Sequence, residues 1–328
     1  MRILVVGGAG YVGSHCVRRL LAADHRVTVF DNLSAGHRAA VDPRATFVLG
    51  DLADRAALDR ALTAERYDAA MHFAAFINVG DSVNEPLKYW RNNVANTLNL
   101  LDAMQAHGVR RFVFSSTCAV HGEPEDLPMV ETLPRNPVNP YGHTKLAVEW
   151  LLESSATAWG LGAVMLRYFN ASGAAPGGVI GEDHRPETHL IPIVLQVALG
   201  QREHLKVYGA DYPTPDGTCV RDYIHVDDLA EAHLLAVRGG TPGKAEAFNV
   251  GTGRGHSVLE IVSAARAVTW HPIPVVIAER RAGDAPALYA NSDKLRGTYG
   301  WQPRHLDIHE LIASAWEWHR THPHGFAY

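Results

Sequence analysis

Between residues 2 and 168, six short runs rich in apolar and β-branched residues alternate with longer stretches of helical periodicity. The runs fall at 2–6, 26–30, 45–49, 68–73, 111–115 and 163–168, and the helical patterns near 12–23, 54–64, 86–107 and 143–159. Strands separated by helices of this length cannot pair as tight hairpins. They require crossover connections, which build βαβ units and a parallel sheet. The runs are almost continuously apolar, as expected of strands covered on both faces. Because such crossovers are right-handed, the sequence predicts a doubly wound α/β sheet.

Beyond about residue 170 the texture changes. Gly and Pro cluster at Ala174-Ala175-Pro176-Gly177-Gly178 and at Tyr212-Pro213-Thr214-Pro215-Asp216-Gly217. Helical patterns return near 190–200, 227–238, 257–268 and 307–320. The expected organisation is a first domain over 1–170 and a smaller, loop-rich α/β lobe over 171–328. The last helix is expected to pack back on the first domain. Lys plus Arg number 30 against 35 Asp plus Glu, a formal net charge of −5, and no basic run occurs. That argues against nucleic acid or an anionic membrane surface as partner. No stretch approaches the roughly 18 apolar residues of a membrane span, and the opening run is too short for a secretion signal. The three cysteines, Cys16, Cys118 and Cys219, lack CxxC spacing, which excludes a disulfide scaffold and a Cys-based zinc site and fits the cytoplasm. The 19 histidines are scattered, with no HExxH or other ligand spacing, so no metal is expected.

Gly7-Gly8-Ala9-Gly10-Tyr11-Val12-Gly13 sits between the first run and the first helical pattern. A strand before it, a helix after it and an acid, Asp31, closing the second run make it a dinucleotide-binding turn. Glycine lets the backbone turn tightly and approach a pyrophosphate, and the free N–H groups of the helix start favour the phosphate charge. Asp31 can accept hydrogen bonds from ribose hydroxyls. Its carboxylate would repel a 2′-phosphate, and no Arg directly follows, so NAD is favoured over NADP. Gly50-Asp51-Leu52 closes the third run, where an acid and an apolar residue suit an adenine, although Asp51 serves equally well as a helix N-cap. The small residues in Phe73-Ala74-Ala75 let a cofactor pass close to the fourth strand's end.

Tyr141 and Lys145 are four apart and share one face of a helix. Only five lysines occur, and this is the one Tyr-x-x-x-Lys in the chain. A free phenol, with a pKa of about 10, is a poor base at neutral pH. A nearby ammonium and a positive nicotinamide ring favour the phenolate and make the tyrosine usable as a general base toward a sugar hydroxyl. Ser115-Ser116-Thr117 closes the fifth run. A hydroxyl there can reach both substrate and tyrosine oxygens, or simply form a local turn.

Together these residues resemble the extended short-chain dehydrogenase/reductase family, whose fold is a Rossmann-type sheet, and within it the nucleotide-sugar 4-epimerases. The likeness runs the length of the chain, through Val79-Gly80-Asp81-Ser82-Val83, Asn139-Pro140-Tyr141-Gly142, Leu166-Arg167-Tyr168-Phe169-Asn170, Arg221-Asp222-Tyr223-Ile224-His225-Val226 and Arg280-Arg281-Ala282-Gly283-Asp284. The resemblance implies an NAD-dependent isomerase that interconverts UDP-glucose and UDP-galactose through a 4-keto sugar. Tyr141 would be the base, assisted by Lys145 and Thr117. Cofactor contacts are implied at Gly7, Gly10, Tyr11, Val12, Gly13, Asp31, Asn32, Leu33, Ser34, Ala35, Gly36, Asp51, Leu52, Phe73, Ala74, Ala75, Ile77, Asn93, Thr117, Tyr141, Lys145 and Phe169. UDP-sugar contacts are implied at Thr117, Tyr141, Asn170, His189, Leu190, Lys206, Val207, Tyr208, Arg221, Arg281, Asp284 and Leu288. Arginine suits the diphosphate because its planar fork donates two bonds at once. A homodimer is also implied. Leu146, Trp150 and Leu151 could pack on a partner helix, and core packing explains them equally well.

Several positions depart from the family pattern. Thr117 stands where many members have Ser and keeps the hydroxyl. Ile77 stands where some place a Lys near the cofactor. His121 replaces a frequent Tyr, and His189 stands where others carry Asn. Leu288, at the position limiting the sugar's 2-substituent, is smaller than the Tyr that excludes N-acetyl groups, so some activity on UDP-N-acetylhexosamines is expected. Trp270 sits at an expected helix end, where Gly caps more easily, and has no functional reading. Dehydratases and decarboxylases of the family carry an acid directly after the strand-five hydroxyl, whereas Cys118-Ala119 follows here and supplies no proton for elimination. A UDP-pentose 4-epimerase shares the chemistry and stays open. A cofactor-sensing binding protein would not need Tyr141 and Lys145 together.

Overall fold

The computed structural model describes residues 1–281 and 283–327. Ala282, within the Arg280-to-Asp284 block, and Tyr328 lie outside the described residues. The six expected strands form as β1 (Arg2–Val6), β2 (Arg26–Asp31), β3 (Thr46–Leu49), β4 (Ala69–His72), β5 (Arg111–Thr117) and β6 (Gly162–Tyr168). The second half adds β7 (Asn170–Ser172), β8 (Leu205–Tyr208), β9 (Val220–His225), β10 (Ala245–Val250), β11 (Gly255–Ser257), β12 (Val275–Ala278) and β13 (Ala287–Leu288). A seven-stranded sheet in the order β10-β6-β5-β4-β1-β2-β3 is the backbone of the molecule, and every pairing in it is parallel. Helices cover both faces. One side buries Ile3, Val5, Val29 and Met71, the other Leu4, Val6, Phe30 and Phe112, so alternate residues of one strand serve opposite cores.

Chain order reverses at β1, which has β2 on one side and β4 on the other. Ligands of open α/β sheets bind at such a switch point, outside the strands' carboxyl ends. Part of the chain beyond residue 170 returns to the first sheet. The elements that return to the first sheet are β10 and the helix Val226–Gly239, which packs against the helix Tyr11–Ala22. His15 Nδ1 and Asp227 Oδ1 join those helices at 2.8 Å. The last helix, Ile308–Thr321, instead packs mainly against Val258–Thr269 and Leu190–Ala198 inside the second lobe. Its Leu311, Ile312 and Ala315 find their apolar partners there. A small sheet of β11, β9, β13 and β7 and a pair of β8 with β12 complete that lobe.

Two helices near the site differ from their sequence patterns. The single helix expected at 86–107 is three pieces: Pro86–Tyr89, a π-helical stretch Trp90–Ala95, and Asn96–Ala106. The wider turn carries Asn93, whose side chain binds neighbouring segments, the usual setting of such bulges. The helix expected to start at 143 starts at Pro140. Asn139 caps it by accepting from the Gly142 N–H at 2.8 Å, and proline at its first position lacks only an N–H that would have no helical partner.

Candidate active site

After β1 the chain turns through Gly7, at φ +79°, and the helix begins at Tyr11. A Cβ on Gly7 would lie 2.4 Å from the Ala74 nitrogen, and one on Gly13 would lie 2.2 Å from the Gly7 oxygen. Packing inside the chain therefore forces glycine at both positions. Gly10 is different, because the nearest atom to an added Cβ is 3.5 Å away. No protein atom fills the space there, which leaves the bare backbone open to a group from outside the chain. Gly10 is also the helix N-cap, with no side-chain cap and no acid in the first turn. The orphan N–H groups and the positive end of the dipole are left for an anion.

Asp31 ends β2 and is buried. It accepts from the Ala9 N–H at 2.9 Å and the Leu33 N–H at 2.8 Å. Burial pushes its carboxyl up, while these two backbone bonds hold it down. Each oxygen keeps a further lone pair for a ribose hydroxyl. Leu33 takes a left-handed φ of 58° to make its bond. Asn32 donates to Asp51 at 2.8 Å and accepts from the Ser34 N–H, which ties loop 31–36 to the end of β3. Gly36 backs against Ala9, where a Cβ would meet the Ala9 carbonyl carbon at 2.7 Å. Asp51 does not cap the following helix, since Asp54 accepts from the Ala57 N–H and does so. Leu52 is buried beside it. Phe73, Ala74 and Ala75 follow β4, and Ile77 is exposed. The donor set, the bare Gly10 backbone and the Asp31 carboxylate fit a dinucleotide without a 2′-phosphate.

The Asn93 amide is fully engaged by protein. Oδ1 accepts from the Phe76 N–H, and Nδ2 donates to the Phe76 carbonyl and the Thr144 hydroxyl. It fastens the end of the β4 loop to the helix that carries Tyr141 and Lys145.

That helix lies beside the ends of β5 and β6. Lys145 Nζ is buried, donates to the Ser115 carbonyl at 2.7 Å, and stands 4.8 Å above the Phe114 ring and 5.9 Å from the Tyr141 ring. Burial pulls its pKa down to about 7, with Glu149 the opposing charge. Burial raises the Tyr141 phenol above its ordinary value, and the Thr117 hydroxyl pulls the other way. Ser115 Oγ and the Tyr168 hydroxyl share a short hydrogen bond. Thr117 itself accepts from the Ala119 N–H at 3.2 Å.

The second lobe supplies a row of neighbours along paired strands. Thr117 lies opposite Tyr168 across β5 and β6, and after Phe169 the chain enters β7 at Asn170. Asn170 aligns with Tyr223 of β9, and Arg221 of β9 aligns with Leu288 of β13. Arg221 Nη1 donates to the carbonyls of Val220 and Ala285, and Nη2 stands 3.8 Å from Asp284. Burial pushes the Cys118 thiol up to about 12, and Arg221 is the strongest pull against it, so the guanidinium's charge reaches the residue beside Thr117. On β8, Lys206 is exposed and Val207 buried, while the Arg281 guanidinium lies 3.8 Å from the Tyr208 ring centre. His189 is drawn elsewhere, to Glu182 at 2.8 Å and Glu187 at 3.1 Å, and Leu190 opens the helix that follows.

Sequence reasoning missed the support beneath the site. Glu149 is fully buried, receives Arg167 Nη2 at 2.6 Å and Nε at 2.9 Å, and accepts from the Ser116 hydroxyl at 2.7 Å. Its signal was an acid four residues after Lys145 on an otherwise apolar face. Ser82, whose hydroxyl receives the Tyr141 N–H at 3.2 Å, carried no signal of its own.

A glycine turn that leaves its helix start open to an anion, with a tyrosine and a lysine one helical turn apart on a later helix of the same sheet, fits a nicotinamide-linked enzyme. Residues 3–251 match the NAD dependent epimerase/dehydratase family, and the chain belongs to it. A UDP-glucose 4-epimerase of Lacticaseibacillus casei is 53% identical over 327 residues, covering 99% of each chain. The structure of UDP-glucose 4-epimerase from Brucella ovis in complex with NAD superposes with a TM-score of 0.93 at 47% identity, covering 96% of this chain and 97% of that one. The Bifidobacterium longum UDP-glucose 4-epimerase in complex with NAD+ and UDP gives 0.95 at 38% identity, covering 99% of this chain and 100% of that one.

Proposed function

We propose that this chain is an NAD-dependent UDP-glucose 4-epimerase that interconverts UDP-glucose and UDP-galactose. The observation that carries the reading is the meeting of Tyr141, Lys145 and Thr117 at the carboxyl edge of the sheet whose first turn leaves the Gly10 backbone open. Residues 1–170 would hold the cofactor and residues 171–328 the nucleotide sugar. Bound NAD+ would supply the acceptor and donor for the C4 hydride. The chain's own residues do the rest. Thr117 orients the sugar's 4-hydroxyl toward the Tyr141 oxygen, and Tyr141 takes its proton and later gives it back. The Lys145 ammonium favours the phenolate against the burial that opposes it. Arg221 and Arg281 grip the diphosphate, Asp284 a ribose, and the Lys206-to-Tyr208 strand lies beside the uracil. With the nucleotide end held, the 4-keto sugar turns over and presents its other face.

Leu288 favours a broadened substrate range, because it sits beside Arg221 in the ladder and is shorter than a tyrosine. UDP-N-acetylhexosamines and UDP-pentoses therefore belong in the assay panel. The exposed Leu87, Trp90 and Leu98, together with Trp150 (53% exposed) on the adjoining helix Pro140–Trp159, offer an apolar face for a second copy. Three free thiols fit a cytoplasmic location. Among the described residues no helix is long and apolar enough to cross a membrane.

The test is incubation of the purified protein with UDP-glucose. UDP-galactose should form with no net production of NADH. Net NADH with an oxidised sugar would replace this reading by a dehydrogenase.

A further inference from the structure

Eight residues between the Gly-rich loop at 173–178 and the helix Leu190–Ala198 carry the spacing Glu182-x-His184-x-x-Glu187-x-His189. It matches no common zinc motif, and nothing in the reaction proposed above uses it as a set. Folding brings the four side chains together. One ligand atom from each lies within 4.8 Å of all the others. His184 Nδ1 is 3.1 Å from Glu182 and 3.7 Å from Glu187, while His189 Nδ1 is 2.8 Å from Glu182 and 3.1 Å from Glu187. Both glutamate side chains are only 5% exposed.

We propose that Glu182, His184, Glu187 and His189 form a binding site for one divalent transition-metal ion, with zinc the best fit. The argument is geometric. Two imidazole nitrogens and two carboxylate oxygens are a borderline donor set that suits zinc. Four ligands at about 2.0–2.2 Å in a tetrahedron stand roughly 3.4 Å apart, inside the range of separations seen here. The two imidazoles already face the two buried carboxylates as counter-ions, and a divalent ion taking the place of their two protons keeps that charge balanced. The ligands are also braced from outside, as metal ligands are. Glu187 Oε1 receives the N–H groups of Thr188 and His189, both at 2.8 Å, and the Glu182 carbonyl receives Trp318 Nε1 at 3.1 Å. A cavity of about 190 Å³, lined by Glu182, His184 and Glu187 and by His319, His322 and His324, gives an ion a way in.

Four protein ligands leave no open position, so the ion is structural rather than catalytic. It locks the 182–189 loop between two functional neighbours. The His184 ring meets Tyr11 of the cofactor turn edge-on at 6.3 Å between centroids, and Trp318 belongs to the last helix. The sequence reading finds neither HExxH nor any other ligand spacing among the histidines and expects no metal, and the proposed site departs from that expectation.

The experiment uses the full-length protein, stripped with a chelator and dialysed against zinc chloride. Metal content is measured by mass spectrometry and thermal unfolding is followed with and without zinc. One zinc per chain is expected, with a raised midpoint, and cobalt(II) should give the intense visible bands of a four-coordinate site. Glu187→Gln and the near-isosteric His184→Asn should each weaken zinc binding by about 100-fold or more. Far-UV circular dichroism without metal checks that each variant is folded. A double change of His322 and His324 to Ala should leave zinc binding unaltered. No retained zinc, or zinc retained by both site variants and lost with the His322/His324 double change, would overturn the proposal.

Discussion

Two regions of the proposed site are built differently. Around the Tyr141 helix the groups interlock in a dry setting: Lys145 on the Ser115 carbonyl, Ser116 and Arg167 on Glu149, and Asn93 joining the Phe76 backbone to Thr144. In the second lobe the charged groups stand nearer solvent. Arg221 leans on two backbone carbonyls with Asp284 at 3.8 Å, and the exposed Arg281 rests on a tyrosine ring. The contrast matches the demands on each. Proton transfer needs heavy atoms placed within hydrogen-bond reach. Gripping a diphosphate through charge-assisted bonds tolerates small displacements, because several donors share the load.

The comparison breaks most visibly at Tyr141. Tyr141→Phe removes one oxygen from the buried floor and no buried charge. Turnover should fall by about 10²- to 10⁴-fold, the usual contribution of a positioned acid–base group. Bound NAD and the unfolding midpoint should stay close to wild type. Near-normal turnover would remove Tyr141 from the proton path. A matching change in the other region, Arg221→Met, should chiefly raise KM for the UDP-sugar. About 10- to 100-fold corresponds to losing a hydrogen bond to a charged group, roughly 1.5–3 kcal/mol. A fall in kcat of the same size, with KM unchanged, would mean that Arg221 belongs to the floor and that the two regions are not distinct.

The two regions were also unequally legible in the sequence. The floor announces itself through fixed spacing: the glycine turn between strand and helix, and Tyr141 and Lys145 one helical turn apart. These are local relations, set by backbone geometry over a few residues. Edges were less visible. Asn139 and Pro140 start the helix that carries Tyr141 and Lys145 before the apolar pattern does, and the π-helical turn at Trp90–Ala95 interrupts a pattern that reads as one helix. Long-range pairings were hidden altogether. Nothing local to Glu149 names Arg167 as its partner, and nothing local to 245–250 says that this strand closes the first sheet beside β6. In the second lobe the arginines and Tyr208 stand on separate strands and loops. Only the family resemblance pointed to them, and their arrangement came with the fold.

The smallest expected effect sharpens the comparison most, because it asks what a rigid, dry floor does to its own charge. Burial draws Lys145 from an ordinary value of about 10.5 down to about 7. Between those values the unfolded chain binds a proton that the folded chain does not, so this residue makes stability rise with pH across that window. Below about pH 7 the ammonium is present in both states, and its desolvation weighs against folding in full. Lys145→Met keeps the length of the side chain and removes that charge. The variant should be nearly inactive, yet at about pH 6 it should melt a few degrees above wild type, with the gap closing toward pH 10. A lower midpoint at pH 6 would mean that the Ser115 carbonyl, the Phe114 ring and Glu149 more than offset the burial. The floor would then be a stabilising network in its own right, rather than one that gives up stability for catalysis.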